Sequence, residues 1–214
     1  MDFLKRELQE YIENHTEEEP EILKKLNRET YSKILMPRML SGHLQGRVLS
    51  MLSKMIKPKR ILEIGTFTGY SAICLAEGFE EGGELITIDV NEELEDMARR
   101  YFVKAGLEEV IDYRIGNAMK IIPDLAGSFD LVFIDADKEN YSHYFDMVID
   151  KMNVGAFLIA DNVLWSGKVI EEDEVEKNKD TKGIVMFNKK IQDDKRVENV
   201  LFPIRDGLMI IRKI

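Results

Sequence analysis

The chain has 214 residues, a formal charge of −10, and 44% hydrophobic against 33% charged residues, which suits one domain spanning 1–214 with a sizeable core. Cys74 is the only cysteine, which excludes an intrachain disulfide framework and a cysteine-built metal site, and no apolar run reaches the roughly 18 residues of a membrane span. The acidic balance disfavours nucleic acid as a partner, because that binding rests on Lys and Arg displacing counterions.

Asp2 is placed to cap a first helix whose apolar positions Leu4, Leu8, Tyr11 and Ile12 recur at helical spacing. This acidic, amphipathic stretch is neither a secretory signal nor a transit peptide, so a cytoplasmic location is expected. After Pro20 a second helical pattern uses Ile22, Leu23 and Leu26. Ser41 begins a third, with Leu44, Val48, Leu49, Leu52 and Ile56 as its apolar stripe. Lys54, Lys57, Lys59 and Arg60 gather behind it and read as a solvated helix end rather than a nucleic-acid patch. These N-terminal helices occupy 1–57, and an α/β core is expected over 58–214.

From residue 60 strands and helices alternate. Strands are expected at 61–64, 84–90, 110–115, 129–136 and 156–162. Helices are expected from Tyr70, over 91–106, near 118–125, and through Tyr144 to Met152. Such alternation argues for a parallel sheet covered on both faces. The tail differs: Val197–Phe202 and Gly207–Arg212, joined by PIRDG, should pair antiparallel. The charged stretch EEDEVEKNKD at 171–180 reads as a mobile surface loop.

In ILEIGTFTGYS (61–71) an apolar strand carries Glu63 and opens into a loop bounded by Gly65 and Gly69. Ligands of open α/β sheets lie beyond the carboxyl ends of the strands, and Glu63, Asp89 and Asp135 all sit at such ends. A dinucleotide fingerprint needs a middle glycine that is absent here, and Glu63 would repel a pyrophosphate. A cationic nucleoside suits the loop better. S-adenosylmethionine carries an ammonium and a sulfonium, and Asp89 is placed to accept from its ribose hydroxyls. A structural βα turn in an unrelated α/β protein is the competing reading.

FIDADKENY (133–141) and IADNVLWSGKV (159–169) bring Asp135, Asp161 and Asn162 to strand ends. These hard oxygen donors suit Mg²⁺ and not Zn²⁺. Adjacent strand residues face opposite ways, so Asp161 and Asn162 can share an ion only if the strand has ended there; a turn cap is the alternative. Lys138, three residues after Asp135, becomes a better base if neighbouring cations disfavour its ammonium form. A solvated helix-start lysine is the bland alternative. His15, His43 and His143 show no ligand spacing. Cys74 reads as a buried helix thiol and the methionines mostly as core filler, with Met36 and Met39 candidates for a pocket wall.

Together, SGHLQGRVLSML, EIGTFTGYS, ITIDV, GNA at 116–118, FIDADKENY, IADNVLWSG and PIRDG resemble the metal-dependent, S-adenosylmethionine-using O-methyltransferases of the catechol and caffeoyl-CoA type. The resemblance covers about Ser41 to Lys213. It implies a Rossmann-like sheet of seven strands, order 3-2-1-4-5-7-6 with strand 7 antiparallel, and a homodimer. It places Glu63, Gly65, Thr66, Ser71 and Asp89 around the methionine and ribose, with Ser41, Ala118 and Asp135 also at the cofactor, Ala118 and Asn117 near the adenine. It makes Asp135, Asp161 and Asn162 ligands of Mg²⁺ (or Mn²⁺ or Ca²⁺), Lys138 the catalytic lysine, and Trp165 an aromatic wall of the substrate pocket. Plant caffeoyl-CoA enzymes carry an arginine- and tyrosine-rich segment where this chain has DTKGIVMFNKKI (180–191). A small catechol-like acceptor is therefore expected instead of a CoA thioester. A hydroxylated tRNA base is the alternative acceptor.

Overall fold

The structure, a computed structural model, describes residues 5–214. Its helices are α1 (Arg6–Asn14), α2 (Glu21–Lys33), α3 (Gly42–Ile56), α4 (Tyr70–Ala76), α5 (Glu95–Lys104), α6 (Ala118–Ile121), α7 (Tyr141–Ile149), α8 (Glu172–Lys177) and α9 (Lys179–Asp193). The strands are β1 (Arg60–Ile64), β2 (Glu84–Asp89), β3 (Ile111–Ile115), β4 (Phe129–Ile134), β5 (Met152–Asp161), β6 (Val197–Phe202) and β7 (Leu208–Lys213). They form a sheet of order β3-β2-β1-β4-β5-β7-β6, the expected Rossmann-like arrangement, with β7 antiparallel to both of its neighbours. No helix among the described residues is long and apolar enough to cross a membrane.

The chain forms two compact units. One holds Ile61–Ile64 and Ala118–Ile214. In it β1 pairs parallel with β4 from Ile61↔Leu131 to Ile64↔Ile134, and β4 pairs parallel with β5. Leu62, Leu131, Val132, Phe133, Ile134, Leu158 and Ile159 are fully buried, as expected of parallel strands covered on both faces, which read as continuous apolar runs. The registers Ile134↔Ala160 and Asp161↔Leu208 bring the carboxyl ends of β4 and β5 beside the start of β7.

The other unit holds the described residues up to Arg60 together with Gly65–Asn117. Here β2 and β3 pair parallel, from Leu85↔Ile111 to Asp89↔Ile115. The expected cap Asp2 and the apolar Leu4 lie outside the described residues; α1 is preceded by Lys5. The stripe expected to bury α3 holds at one of its five positions. Leu49 is buried, but Leu44, Val48, Leu52 and Ile56 are partly exposed, and the buried face is Gln45, Gly46, Arg47, Leu49, Ser50 and Ser53. Close approach to α4 decides this, because a Cβ at Gly46 would stand 2.6 Å from the Tyr70 ring. Arg47 then donates to both carboxylate oxygens of Glu77 at 3.0 and 2.6 Å, and Ser50 donates to the same carboxylate.

Two further expectations fail. The 171–180 stretch is not a loop: α8 fills Glu172–Lys177, and Asn178 caps α9 by accepting from Thr181 N–H. Glu172, Asp173 and Glu174 lie in the first turn of α8, where negative charge is favourable. The methionines are not mostly core filler, since Met36, Met39, Met51, Met55 and Met186 are exposed. Cys74 is a buried free thiol, as expected. Of the basic residues around the end of α3, Lys54 in its last turn pairs with Glu77, Arg60 pairs with Glu84, and Lys57 closes the helix with φ 53°.

Candidate active site

In the unit built around β2, Gly65 N–H donates to Ile88 O at 2.9 Å and so starts the loop beside the end of that strand. Phe67 takes a left-handed φ of 50°, and its N–H donates to Asp89 Oδ2 at 2.7 Å. Asp89 Oδ1 accepts Asn91 N–H at 2.9 Å. Each oxygen keeps a lone pair for a ligand hydroxyl. Gly69 ends the loop with φ 88°, and a Cβ there would stand 2.6 Å from the Phe102 ring. The Thr66 hydroxyl is bonded to Thr87 Oγ1 at 2.5 Å, and the residue is buried. Ser71 is buried in the first turn of α4, and Ser41 is buried just before α3.

In the other unit Glu63 lies on β1 with 0% exposure, a carboxylate whose burial is costly unless a cation or hydrogen-bond donors meet it. Ala118 is buried at the start of α6, directly after the exposed Asn117. Asp135 follows the last residue of β4, and its N–H donates to Ile64 O. The following turn, Lys138–Asn140, leads into α7. Lys138 is 7% exposed, which excludes the solvated helix-start alternative. Its Nζ donates to Asp135 Oδ1 at 2.9 Å and to Tyr141 Oη at 2.7 Å. Tyr141 Oη lies 3.1 Å from Asp161 O and 3.4 Å from Ile134 O, so one phenol ties the ends of β4 and β5. The Trp165 ring covers the lysine, with Nζ 5.7 Å from its centroid.

β5 ends at Asp161, as a shared ion requires. Asn162 takes φ 59°, breaking the strand alternation, and Trp165 and Ser166 take φ 46° and 55°. Non-glycine residues in this region cost about 1–3 kcal/mol each and cluster at functional sites. The strained run is held by the turn before β7: Asp206 Oδ1 accepts Ser166 N–H at 2.5 Å, and Asp206 O accepts Leu164 N–H at 2.9 Å. A Cβ at Gly183 of α9 would stand 2.6 Å from Lys138 O, so that helix presses directly on the lysine turn.

The charges nearest Lys138 are acidic. Burial alone would push its pKa down, but Tyr141, Asp135 and Asp161 outweigh burial and hold the ammonium well above the usual lysine value. Burial pushes Tyr141 up as well, so it is a neutral phenol near pH 7 and the holding charges are the two carboxylates. Lys138 is thus held as an ammonium, bonded to Asp135 Oδ1 and facing the charge of Asp161. No three side chains of the His, Cys, Asp and Glu types gather as a metal cluster among the described residues. Two carboxylates and an amide remain a set of hard donors that fits Mg²⁺. His15 bonds Tyr11 O and His43 bonds Glu17 O, outside these clusters. Tyr141, Gly183 and Asp206 were given no role in the sequence; the signals present were the three-residue spacing of Lys138 and Tyr141 and the Asp-Gly pair ending PIRDG.

The profile of the O-methyltransferase family matches residues 13–214. Caffeoyl-CoA O-methyltransferase 1 of Eucalyptus globulus is 35% identical over 205 residues, covering 92% of this chain and 83% of that protein. Its counterpart from Zea mays is 34% identical over 206 residues, covering 92% and 80%. Among solved structures, an O-methyltransferase from Bacillus cereus in complex with SAH superimposes with a TM-score of 0.89 at 28% identity, over 97% of each chain. The chain therefore belongs to the O-methyltransferase family and is an S-adenosylmethionine-dependent enzyme of its caffeoyl-CoA O-methyltransferase-like branch.

Proposed function

We propose that this enzyme methylates one hydroxyl of a small aromatic acceptor with vicinal hydroxyls, in a reaction that depends on a divalent cation, Mg²⁺ in the first instance. The observation that carries this reading is the buried Lys138, flanked by Asp135 and covered by Trp165 at the ends of β4 and β5. Asp135, Asp161 and Asn162 would hold the cation, whose bound form supplies Lewis-acid polarisation of acceptor oxygens. Asp89 and the Gly65–Gly69 loop, with Glu63, Ser41, Ser71 and Ala118, would hold S-adenosylmethionine.

The protein's own part is proton handling and positioning. Asp135 and Asp161 supply the negative charge that holds the Lys138 proton; a cation held by them would offset that charge, and the buried amine would then prefer its neutral form. Lys138 Nζ takes the proton of the acceptor hydroxyl, an ordinary phenol having a pKa of about 10. The freed oxygen pair forms a bond to the methyl carbon, the carbon–sulfur bond breaks with its electrons going to sulfur, and S-adenosylhomocysteine leaves. Trp165 supplies a flat wall for the ring, and alignment of the reacting atoms provides most of the rate.

A homodimer belongs to the same proposal. It is supported by exposed apolar side chains that a lone chain would leave in water, among them Leu35, Met36, Met39, Met51 and Met55. Labelled S-adenosylmethionine offered with catechols, caffeoyl-CoA or bulk tRNA, with and without EDTA, tests the function. EDTA-sensitive transfer to catechols is expected. Transfer that survives EDTA removes the cation, and transfer confined to tRNA or to the CoA thioester replaces the acceptor.

A further inference from the structure

We propose that Tyr141 is a positioning residue for Lys138, its hydroxyl fixing where the lysine nitrogen stands and points. The proposal rests on the reading of Lys138 as the group that takes the acceptor's proton. A tetrahedral lysine nitrogen has three outer positions. Two are committed: one N–H to Asp135 Oδ1 at 2.9 Å, one to Tyr141 Oη at 2.7 Å. Only the third is left to face an acceptor.

The polarity of Tyr141 follows from its surroundings. The phenol has a single proton, and both remaining neighbours are backbone carbonyls that can only accept, Asp161 O at 3.1 Å and Ile134 O at 3.4 Å. The proton goes to the nearer carbonyl, and Tyr141 Oη meets Lys138 as an acceptor. It therefore demands one N–H of Lys138 and so sets the rotation of that nitrogen about its bond to Cε. Phenylalanine cannot make that demand. The Tyr141 ring itself is fully buried and packs edge-on to Phe187 at 5.4 Å, so Tyr141→Phe removes the hydroxyl while keeping the packing.

Trp165 is the only tryptophan of the chain, and Lys138 Nζ lies 5.7 Å from its ring centroid. Tryptophan emission and its quenching by iodide therefore report the place of the ammonium without cofactor, cation or acceptor. Tyr141→Phe should shift both in the direction seen for Lys138→Met, with a cooperative thermal transition retained. In turnover, kcat should fall about 10- to 100-fold, the scale of a misplaced reacting group, with the acceptor KM within about threefold. In a Lys138→Met background, made measurable by long incubation with labelled cofactor, Tyr141→Phe should cost no more than about twofold, because coupled residues are not additive.

The outcomes separate. A disabled Lys138→Met enzyme beside an intact Tyr141→Phe enzyme overturns the positioning proposal alone. So does a Tyr141→Phe loss that repeats in full without Lys138, which would make the hydroxyl a mere tie between strand ends. A Lys138→Met enzyme within threefold of wild type overturns the base reading, and the proposal with it.

Discussion

Replacing Asp89 by alanine isolates the cofactor half of the proposal, because the readout needs neither cation nor acceptor. The carboxylate has about four acceptor positions. The Phe67 and Asn91 amides occupy two of them, at 2.7 and 2.9 Å, leaving two for the ribose hydroxyls. A hydrogen bond to a charged group contributes about 1.5–3 kcal/mol. Vicinal hydroxyls on one carboxylate share a single charge, so that range is taken for the pair and not doubled. At about 1.4 kcal/mol per decade, the Kd for S-adenosylhomocysteine should rise roughly 10- to 150-fold in titration calorimetry. Asp89→Ala also frees the Phe67 amide, and Asp89→Asn separates the effects, since its amide oxygen can still accept one backbone N–H. Both variants should bind weakly, with Asp89→Asn losing less thermal stability. An Asp89→Asn or Asp89→Ala protein that binds within threefold of wild type would remove Asp89 from the cofactor site.

Asp161→Ala should abolish methyl transfer while leaving S-adenosylhomocysteine affinity within about threefold by calorimetry; a parallel loss of both would place Asp161 in the cofactor set. Glu77 is held below the usual carboxylate range: its burial opposes this, but Arg47, Ser50 and Lys54 outweigh burial. A depressed folded-state pKa adds stability above the unfolded value of about 4.3, and that stability is lost as pH falls through the folded one. Glu77→Gln should therefore cost about 2 kcal/mol in urea unfolding at pH 7, less than a fully buried pair because a quarter of the Glu77 side chain stays in water. The gap should narrow below pH 4, and a gap that widens there would reverse the sign of the argument. Asp206→Ala should raise the acceptor KM more than it lowers cofactor affinity, and should cost about 1.5–3 kcal/mol of stability through the lost Ser166 bond; unchanged KM in steady-state assays would separate Trp165 from the acceptor.

The strands were legible because buried parallel strands are apolar runs, and ILEI, ELITID and FDLVFI need no tertiary information to stand out. The same holds for the acids at their ends. The face of α3 was not legible, because hydropathy ranks Leu52 above Ser53, while packing against α4 rewards a small residue there. A Cβ at Gly78 would stand 2.2 Å from the Ser53 backbone, an approach that no one-dimensional pattern records. The 171–180 stretch misled in another way. Its charge density suggested an unfolded segment, yet the acids fall in the first turn of a helix, and Lys168 reaches Glu174 at 3.1 Å. Lys138 stands out by its spacing from Asp135, but the sign of its perturbation depends on which charges lie within reach, and only the folded chain brings Asp161 as well as Asp135 to bear on one ammonium.

The antiparallel last strand has a consequence for the candidate site that follows from direction alone. A parallel strand beside β5 would start at the amino end of β5, far from Asp161. Because β7 runs the other way, its first residue Leu208 pairs with Asp161, the last of β5. The preceding turn therefore lies against the stretch that follows Asp161. From there Gly207 O accepts Val163 N–H at 3.2 Å, and Asp206 takes the amides of Leu164 and Ser166. Gly207 can come that close only without a side chain, since a Cβ would meet Leu164 at 2.6 Å. A run with left-handed residues at Asn162, Trp165 and Ser166 is unfavourable by itself, and these backbone bonds are what offset the strain. The order 5-7-6 thus does more than close the edge of the sheet. It delivers the turn before β7 to the carboxyl end of β5, beside Asn162, the proposed cation ligand, and Trp165, the proposed wall of the acceptor pocket.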